Sequence, residues 1–243
     1  MAGTRIQLCG RVIVSIDGSR AEDRLPGRQG RLLFVYLATN RRRATPRDAL
    51  VDALWGDAAP ANVGTALSAL LSKLRRVVPL EGRSDVRLAL AEDAWIDLEA
   101  AQEGLHRAES AVARGDWTSA WGPSRVAQHV CARGFLLGED APWINAQRRR
   151  IEEMEISALE LVAQACVHIG GGELATAERA ARKLVERAPY RESGYRALME
   201  VLAAADNTAE ALRVYEQLRS RLREDLGAAP SPATQTLHRK LLA

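Results

Sequence analysis

Apolar and polar residues alternate in the first part of the chain. Between residues 5 and 25 the apolar positions include Ile6, Leu8, Val12, Val14 and Ile16. This two-residue period predicts short strands that each bury one face. The pair Asp17–Gly18 is typical of a hairpin turn, so two of these strands should pair with each other.

The hydrophobic period changes to that of a helix after these strands. A first helix is predicted over residues 28–40, where leucine and tyrosine recur at helical spacing. A second helix should have Thr45 as its N-cap and end near Gly56. A third is predicted over residues 61–78 and is closed by Pro79.

A small hairpin is predicted after the third helix. Residues 87–90 and 95–98 flank the polar pair Glu92–Asp93, which has the composition of a turn. The resulting order is strands, three helices and a hairpin. This is the order of a winged helix-turn-helix that follows a small N-terminal sheet.

Helical period continues from residue 98 to the end of the chain, and part of it repeats. The segment around Ala177 recurs around Ala211, 34 residues later, and a looser copy begins at Gly115. A period of 34 residues is that of tetratricopeptide repeats, in which each helix pair buries its apolar face on the next. A long helix over residues 142–169 is predicted to precede the two later copies.

The fold class is therefore mainly α with a small β component, in two domains. Residues 1–97 form the predicted winged helix, and residues 98–243 form the tetratricopeptide-like domain. The first segment holds 15 Lys and Arg against 11 Asp and Glu, and the second holds 19 against 20. Because all of the basic excess lies in the first segment, that segment is the candidate for binding nucleic acid.

The third predicted helix has two distinct faces at about 100° per residue. Its apolar stripe consists of Leu67, Leu70, Leu71, Leu74 and Val78. Its opposite face carries short polar, small and basic residues: Asn62, Thr65, Ser68, Ala69, Ser72, Lys73, Arg75 and Arg76. A recognition helix needs this division, and so does an ordinary surface helix. Its place in the order of elements favours recognition.

Further groups near this helix in the predicted layout suit contacts with phosphates. They are Arg41, Arg42 and Arg43 before the second helix, Thr45 at its start, and Arg83 and Arg87 in or beside the wing. A helix N-terminus and guanidinium groups both attract phosphate.

Short stretches in both predicted domains match the pattern of one known family. In the first domain the matching stretches are Leu25–Gln29, Asp48–Leu50, Ala53–Gly56 and Ser72–Arg76. In the second they are Trp143, Arg148–Arg150, Pro189–Glu192, Ala197–Met199, Ala211–Tyr215 and Leu226–Pro232. With these stretches the chain resembles the Streptomyces antibiotic regulatory proteins. The resemblance covers essentially all 243 residues, and the stretches follow the family order with near-family spacing.

The resemblance implies an OmpR-like winged helix joined to a bacterial transcriptional activation domain. It also implies binding to direct repeats in promoter DNA, pairing of the protein with itself on that DNA, and recruitment of RNA polymerase with its sigma factor. The family's transactivation loop, a polymerase contact, corresponds to Gly56, Asp57, Ala58, Ala59 and Pro60. A plain interhelical turn is the alternative interpretation of these five residues.

Two features depart from the family pattern. Asp85–Val86 stands where the family has a Gly-Tyr pair at the start of the returning strand of the wing, which puts minor-groove contact in question. Residues 61–71 contain no Lys or Arg. Base reading in that half of the helix would rest on Asn62, Thr65 and Ser68, with Ala69 placed to meet a thymine methyl group.

Sequence motifs for other functions are missing. None of Lys73, Lys183 and Lys240 follows a glycine, which excludes a Walker A loop, and the histidines and cysteines are too dispersed for a metal site. We therefore expect no enzyme, no cofactor and no membrane span, and we expect a cytoplasmic activator of secondary metabolism. The alternatives are a helical-repeat interaction module without specific DNA binding, and a ligand sensor that uses the repeat groove.

Overall fold

The computed structural model describes residues 3–243 and divides the chain into two compact units. The first contains the chain up to Ala100 together with Arg133–Ile151. The second contains Ala101–Ala132 and Glu152–Ala243. Within the described residues, no helix is both long and apolar enough to cross a membrane.

A four-stranded sheet opens the first unit. It contains β1 (Arg5–Gln7), β2 (Ile13–Ile16), β3 (Ser19–Arg20) and β7 (Trp95–Ile96), in the order β3-β2-β1-β7. The predicted hairpin turn is confirmed, because Asp17–Gly18 joins β2 to β3 with φ angles of 50° and 81°. Two successive positive φ values are those of the turn that matches strand twist.

The three predicted helices follow. They are α1 (Gly27–Thr39), α2 (Arg47–Trp55) and α3 (Val63–Arg75). The prediction of Thr45 as an N-cap is wrong. Thr45–Pro46 instead forms a short strand, β4, and Thr45 is buried, so that α2 begins one residue after the proline with Pro46 at the N-cap position. Pro46 favours extended backbone at Thr45, which suits a strand as well as a helix start.

The predicted hairpin is also wrong, because a different pair of strands forms the wing. These are β5 (Leu80–Glu81) and β6 (Asp85–Leu88), and β6 lies between β4 and β5. β7 pairs in parallel with β1 instead. The wing turn depends on Gly82 at φ +86°, where an added Cβ would lie 1.7 Å from the carbonyl oxygen of Asp85. The turn of the wing therefore lies between β5 and β6, and not at the polar pair Glu92–Asp93.

The segment 133–151 returns to the first unit and closes its core. Cys9 and Phe135 form an isolated antiparallel β-bridge through their backbones. The indole Nε1 of Trp143 donates a hydrogen bond to the carbonyl oxygen of Ala53 at 2.9 Å. The fully buried carboxylate of Asp97 accepts the backbone N–H groups of Leu8 and Cys9 at 2.8 and 3.0 Å and pairs with Arg133 at 3.5 Å. Burial raises the pKa of Asp97, and these donors oppose that rise.

Helices build the second unit: α4 (Asp97–Ala113), α5 (Trp117–Cys131), α6 (Pro142–Ile169), α7 (Leu174–Arg187), α8 (Glu192–Ala204), α9 (Thr208–Leu226) and α10 (Pro232–Leu242). The first residues of α4 and α6 belong to the first unit. The predicted span of α6 is confirmed. Ala177 of α7 and Ala211 of α9 are both fully buried, as expected for equivalent positions in a repeat of helix pairs.

Two stretches of the family pattern meet at Glu192, the first residue of α8. Its carboxylate accepts the backbone N–H of Ser231 at 2.9 and 3.0 Å and the Ser231 hydroxyl at 2.7 Å. It also accepts the hydroxyl of the buried Thr234 at 2.6 Å. Ser231 is the N-cap of α10. The start of α8 thus holds the start of α10, in the same way that a capping box satisfies donors within one helix.

Candidate nucleic-acid interface

Helix α3 has the two faces that its sequence predicts. Leu67, Leu71 and Leu74 are at most 1% exposed and anchor one face in the core, with Val78 beyond the helix end. The opposite face is exposed throughout: Asn62, Thr65, Ser68, Ala69, Ser72, Lys73, Arg75 and Arg76. The helix is therefore fixed by one side and open on the other, as entry into a major groove requires.

The N-terminal half of this face is smooth. Gly64 and Ala69 add little bulk, and an added Cβ at Gly64 would meet no atom within 4 Å. The Ser68 hydroxyl donates to the carbonyl oxygen of Gly64 at 2.7 Å. Close approach of a base edge to the backbone is therefore sterically open at Gly64.

Arg47, at the start of α2, places a basic group over this smooth half. Its Nη2 donates to Ser68 Oγ at 2.7 Å and reaches the carbonyl oxygen of Gly64 at 3.4 Å. The sequence pattern does not indicate this residue, because Arg47 lies outside residues 61–71 and belongs to a different helix. Only the crossing of α2 and α3 brings Arg47 to this face, and no local signal marks it.

The C-terminal half is basic and is joined to the wing. Arg75 donates from Nη2 to the carbonyl oxygen of Gly82 at 2.6 Å, so it holds the wing turn against the helix end. Lys73 and Arg76 are exposed on the same face, and Arg83 is exposed in the wing turn. Three cationic groups thus surround the junction of helix and wing in addition to Arg75.

The other predicted phosphate contacts lie in different surroundings. Arg41 is only 15% exposed and forms two hydrogen bonds with Glu99, at 2.7 and 2.6 Å. Arg42 approaches the same carboxylate at 3.8 Å but is 82% exposed, and Arg43 is exposed. Arg87 bonds to Glu81 across the wing hairpin at 2.9 and 2.6 Å. A phosphate would have to compete with these carboxylates for Arg41 and Arg87.

Arg41, Arg42 and Arg87 also share a hollow beside the wing. Its volume is about 440 Å³, and residues 88–92 complete its lining together with Glu81. These three guanidinium groups therefore lie close together at the end of β6, with the carboxylates of Glu81 and Glu92 beside them. Thr45, by contrast, is buried in β4 and its side chain does not cap α2.

The loop between α2 and α3 is fully exposed. It comprises a short 3-10 turn, Gly56–Ala58, followed by Ala59 and Pro60. Gly56 has a φ of +50°, which turns the chain away from the end of α2. The loop stands clear of the core and is open to a protein partner.

The structure offers no metal centre among residues 3–243, since no group of three or more His, Cys, Asp or Glu side chains there has the arrangement to hold an ion. All three cysteines are buried. Burial, followed by the nearby Glu173, raises the pKa of Cys166 to about 11, so its thiol stays protonated and unreactive at neutral pH.

The chain is similar to one known protein family and to several known regulatory proteins. The family model described as "Bacterial transcriptional activator domain" matches residues 96–242. The chain is 33% identical over 220 residues to the regulatory protein AfsR of Streptomyces coelicolor, which covers 88% of this chain and 22% of AfsR. It is 28% identical over 243 residues to the transcriptional regulator RedD of the same species, covering 95% of this chain and 68% of RedD.

The fold also matches a solved structure. Mycobacterium tuberculosis EmbR, in complex with a low-affinity phosphopeptide, superposes with a TM-score of 0.84 and 22% identity. The match covers 98% of this chain and 65% of the EmbR chain. This chain therefore spans about a fifth of the length of AfsR and less than two thirds of the EmbR chain.

Proposed function

Since the chain belongs to the bacterial transcriptional activator domain family, within the Streptomyces antibiotic regulatory proteins, we propose that it is a sequence-specific DNA-binding activator that binds direct repeats at promoters and recruits RNA polymerase. Its targets would be genes of secondary metabolism. It would act in the cytoplasm, where promoter DNA and the polymerase are found. It would pair with itself head to tail when two copies occupy neighbouring repeats.

The exposed face of α3 carries this proposal. That face combines short polar groups, a glycine backbone open to close approach, and a basic end joined to the wing. Short side chains allow the helix to sit deep in a major groove, while Lys73 and Arg76 reach bases or phosphates at its end.

The proposed polymerase contact is the exposed loop Gly56–Pro60. It directly precedes α3, so a chain bound by α3 would present the loop beside the DNA. The sigma subunit, which itself contacts promoter DNA, would be the neighbouring surface. The loop's exposure along its whole length supports this role.

Binding to DNA upstream of the neighbouring genes is the direct test. Footprinting should protect direct repeats, and Arg76→Ala or Lys73→Ala should lower the affinity about tenfold while far-UV circular dichroism stays unchanged. Arg219→Ala, an exposed arginine of the second unit, is the control for the same loss of charge.

Salt dependence separates this proposal from a helical-repeat module that binds only proteins. Phosphate contacts release counterions, so the affinity should fall steeply as salt rises, with a shallower slope in the Lys73 variant. Equal affinity of the wild type and both variants in a gel shift, or the absence of any protected repeat, would refute the proposal.

A further inference from the structure

A second surface of the first unit carries an unassigned groove. We call it the aromatic–acidic groove and define it by Tyr36, Trp143, Ala49, Ala53, Asp52 and Asp57. Its volume is about 510 Å³, and it opens to solvent beside the loop Gly56–Pro60. All of its residues belong to the first unit, and none is among the predicted DNA contacts on α3. Asp57 is shared with the loop Gly56–Pro60, whereas Tyr36, Trp143 and Asp52 have no assigned role.

The floor of the groove is one face of α2. Ala49, Asp52 and Ala53 follow one another at intervals of three and one residues, which places them along a single side of the helix, and Gly56 lies directly after the helix end. Alanine and glycine leave the helix surface low along this line. The opposite part of α2 carries Arg47 to the DNA-facing side, so the two functions do not share side chains.

Two aromatic rings form the wall. Tyr36 of α1 and Trp143 meet edge to face, with ring centroids 5.1 Å apart and planes at 89°. The hydrogen bond from Trp143 Nε1 to the Ala53 carbonyl oxygen, at 2.9 Å, fixes the indole ring over the end of α2. Both rings are partly exposed, so each offers apolar surface and π electrons to an incoming group.

The charge of the groove is negative. Asp52 and Asp57 are exposed at its rim, and among the described residues that line it none is Lys, Arg or His. This composition repels a phosphate backbone and complements a cation that also has apolar surface. Lys and Arg side chains are such groups, since their stems pack on aromatic rings while their heads pair with carboxylates.

We propose that the aromatic–acidic groove is the docking site for a protein segment that presents a Lys or Arg side chain beside an apolar one. This rests on the proposed function, because the segment would belong to the polymerase holoenzyme that the activator recruits. The exposed loop Gly56–Pro60 and the groove would form one continuous contact, in which the loop supplies reach and the groove supplies the anchoring pocket.

Charge removal in the full chain tests this. The probe is purified RNA polymerase holoenzyme from the organism that encodes the chain, with affinity measured by biolayer interferometry without DNA. The double variant Asp52→Asn with Asp57→Asn should raise the Kd about fivefold, the expected sum of two partly exposed charge pairs. Asp48→Asn, an exposed carboxylate on the same helix outside the groove, should leave the Kd unchanged.

Cross-linking supplies a readout that does not depend on these substitutions. With p-benzoylphenylalanine at Ala58, in the exposed loop beside the groove, irradiation should attach the holoenzyme at a segment that has Lys or Arg within one helical turn of an apolar residue. A cross-link to an acidic segment would overturn the proposal, as would an unchanged Kd in the double variant.

The outcomes of these experiments distinguish a failure of the groove proposal from a failure of the proposed function. If the wild-type chain protects no promoter and binds no holoenzyme, the proposed function fails and the groove proposal fails with it. If the wild type does both and the double variant binds holoenzyme equally well, only the groove proposal fails. If the double variant changes the sedimentation of the free chain while its Kd for holoenzyme stays the same, the groove proposal fails and the groove belongs to a contact with a second copy.

Discussion

Replacing Glu192 with glutamine should loosen the end of the helical unit. The wild-type carboxylate satisfies the backbone N–H and hydroxyl of Ser231 and the hydroxyl of Thr234, with distances between 2.6 and 3.0 Å. Glutamine has the same shape but one acceptor oxygen. Its amide oxygen can keep the three contacts of Oε2 without the charge that strengthens them, while its amide nitrogen would face the Ser231 N–H that Oε1 now also accepts.

The expected cost follows from these contacts. A hydrogen bond to a charged group contributes about 1.5–3 kcal/mol net, and glutamine keeps part of the network through its remaining oxygen. We therefore expect Glu192→Gln to lower the free energy of unfolding by about 2 kcal/mol at neutral pH. Glu200→Gln, at an exposed position of the same helix, is the matched control and should change it little.

The direction in which this stabilisation changes with pH follows from the pKa of Glu192. Burial by itself raises the pKa of Glu192, but the hydrogen bonds from Thr234 and Ser231 outweigh it and leave the pKa below its ordinary value of 4.5. The folded state therefore favours the ionised carboxylate. This stabilisation is complete above the unfolded-state pKa and is lost as the pH falls through the lower folded-state pKa.

Urea denaturation followed by circular dichroism measures the effect. The difference between wild type and Glu192→Gln should be largest at neutral pH and should shrink as the pH is lowered through the acid range. Two results would refute the reasoning: equal unfolding free energies at neutral pH, or a difference that stays constant down to the pH at which glutamate is fully protonated.

Three further predictions concern the first unit. Arg47→Ala should lower specific promoter affinity about tenfold, the loss expected for one good base contact, while the far-UV spectrum stays intact. An unchanged gel shift would show that Arg47 neither contacts DNA nor orients Ser68. Gly82→Ala should distort the wing, because its Cβ would collide with the Asp85 carbonyl at 1.7 Å, and should cost about 1–3 kcal/mol in thermal unfolding; a wild-type melting curve would contradict the strained turn. A chain ending at residue 100 should lose its cooperative melting in near-UV circular dichroism, because Phe135 and Trp143 no longer close the core; a sharp transition would contradict this.

Most of the fold could be predicted from the sequence because periodicity is local information. The three helices of the first unit, the turn at Asp17–Gly18 and the span of α6 all follow from spacing and turn chemistry. The prediction of the wing was wrong because two short apolar stretches near Trp95 both resembled strands and were paired with each other. In the structure β6 pairs with β4 and β5, whereas β7 pairs with β1. Which of them pairs with β1 depends on a partner some 90 residues away, and spacing carries no record of it.

The candidate site also has one part that could be predicted from the sequence and another part that could not. The exposed face of α3 could be predicted, since a helical projection needs only one helix. Arg47 could not, because its role arises from the crossing of two helices, and Arg41 was assigned to phosphate without knowledge of Glu99, which is 58 residues further along the chain. Whether these groups bind DNA stays a prediction.

The return of residues 133–151 to the first unit has a consequence for recombination between regulators. Asp97 and Arg133, 36 residues apart, form one ion pair in which the aspartate is fully buried, while Ala101–Ala132 between them belongs to the other unit. A single genetic crossover near residue 97 would therefore join the winged helix to a foreign segment that must supply its missing core residues. Hybrids that exchange the winged helix between relatives should need two junctions, with residues 133–151 transferred together with it.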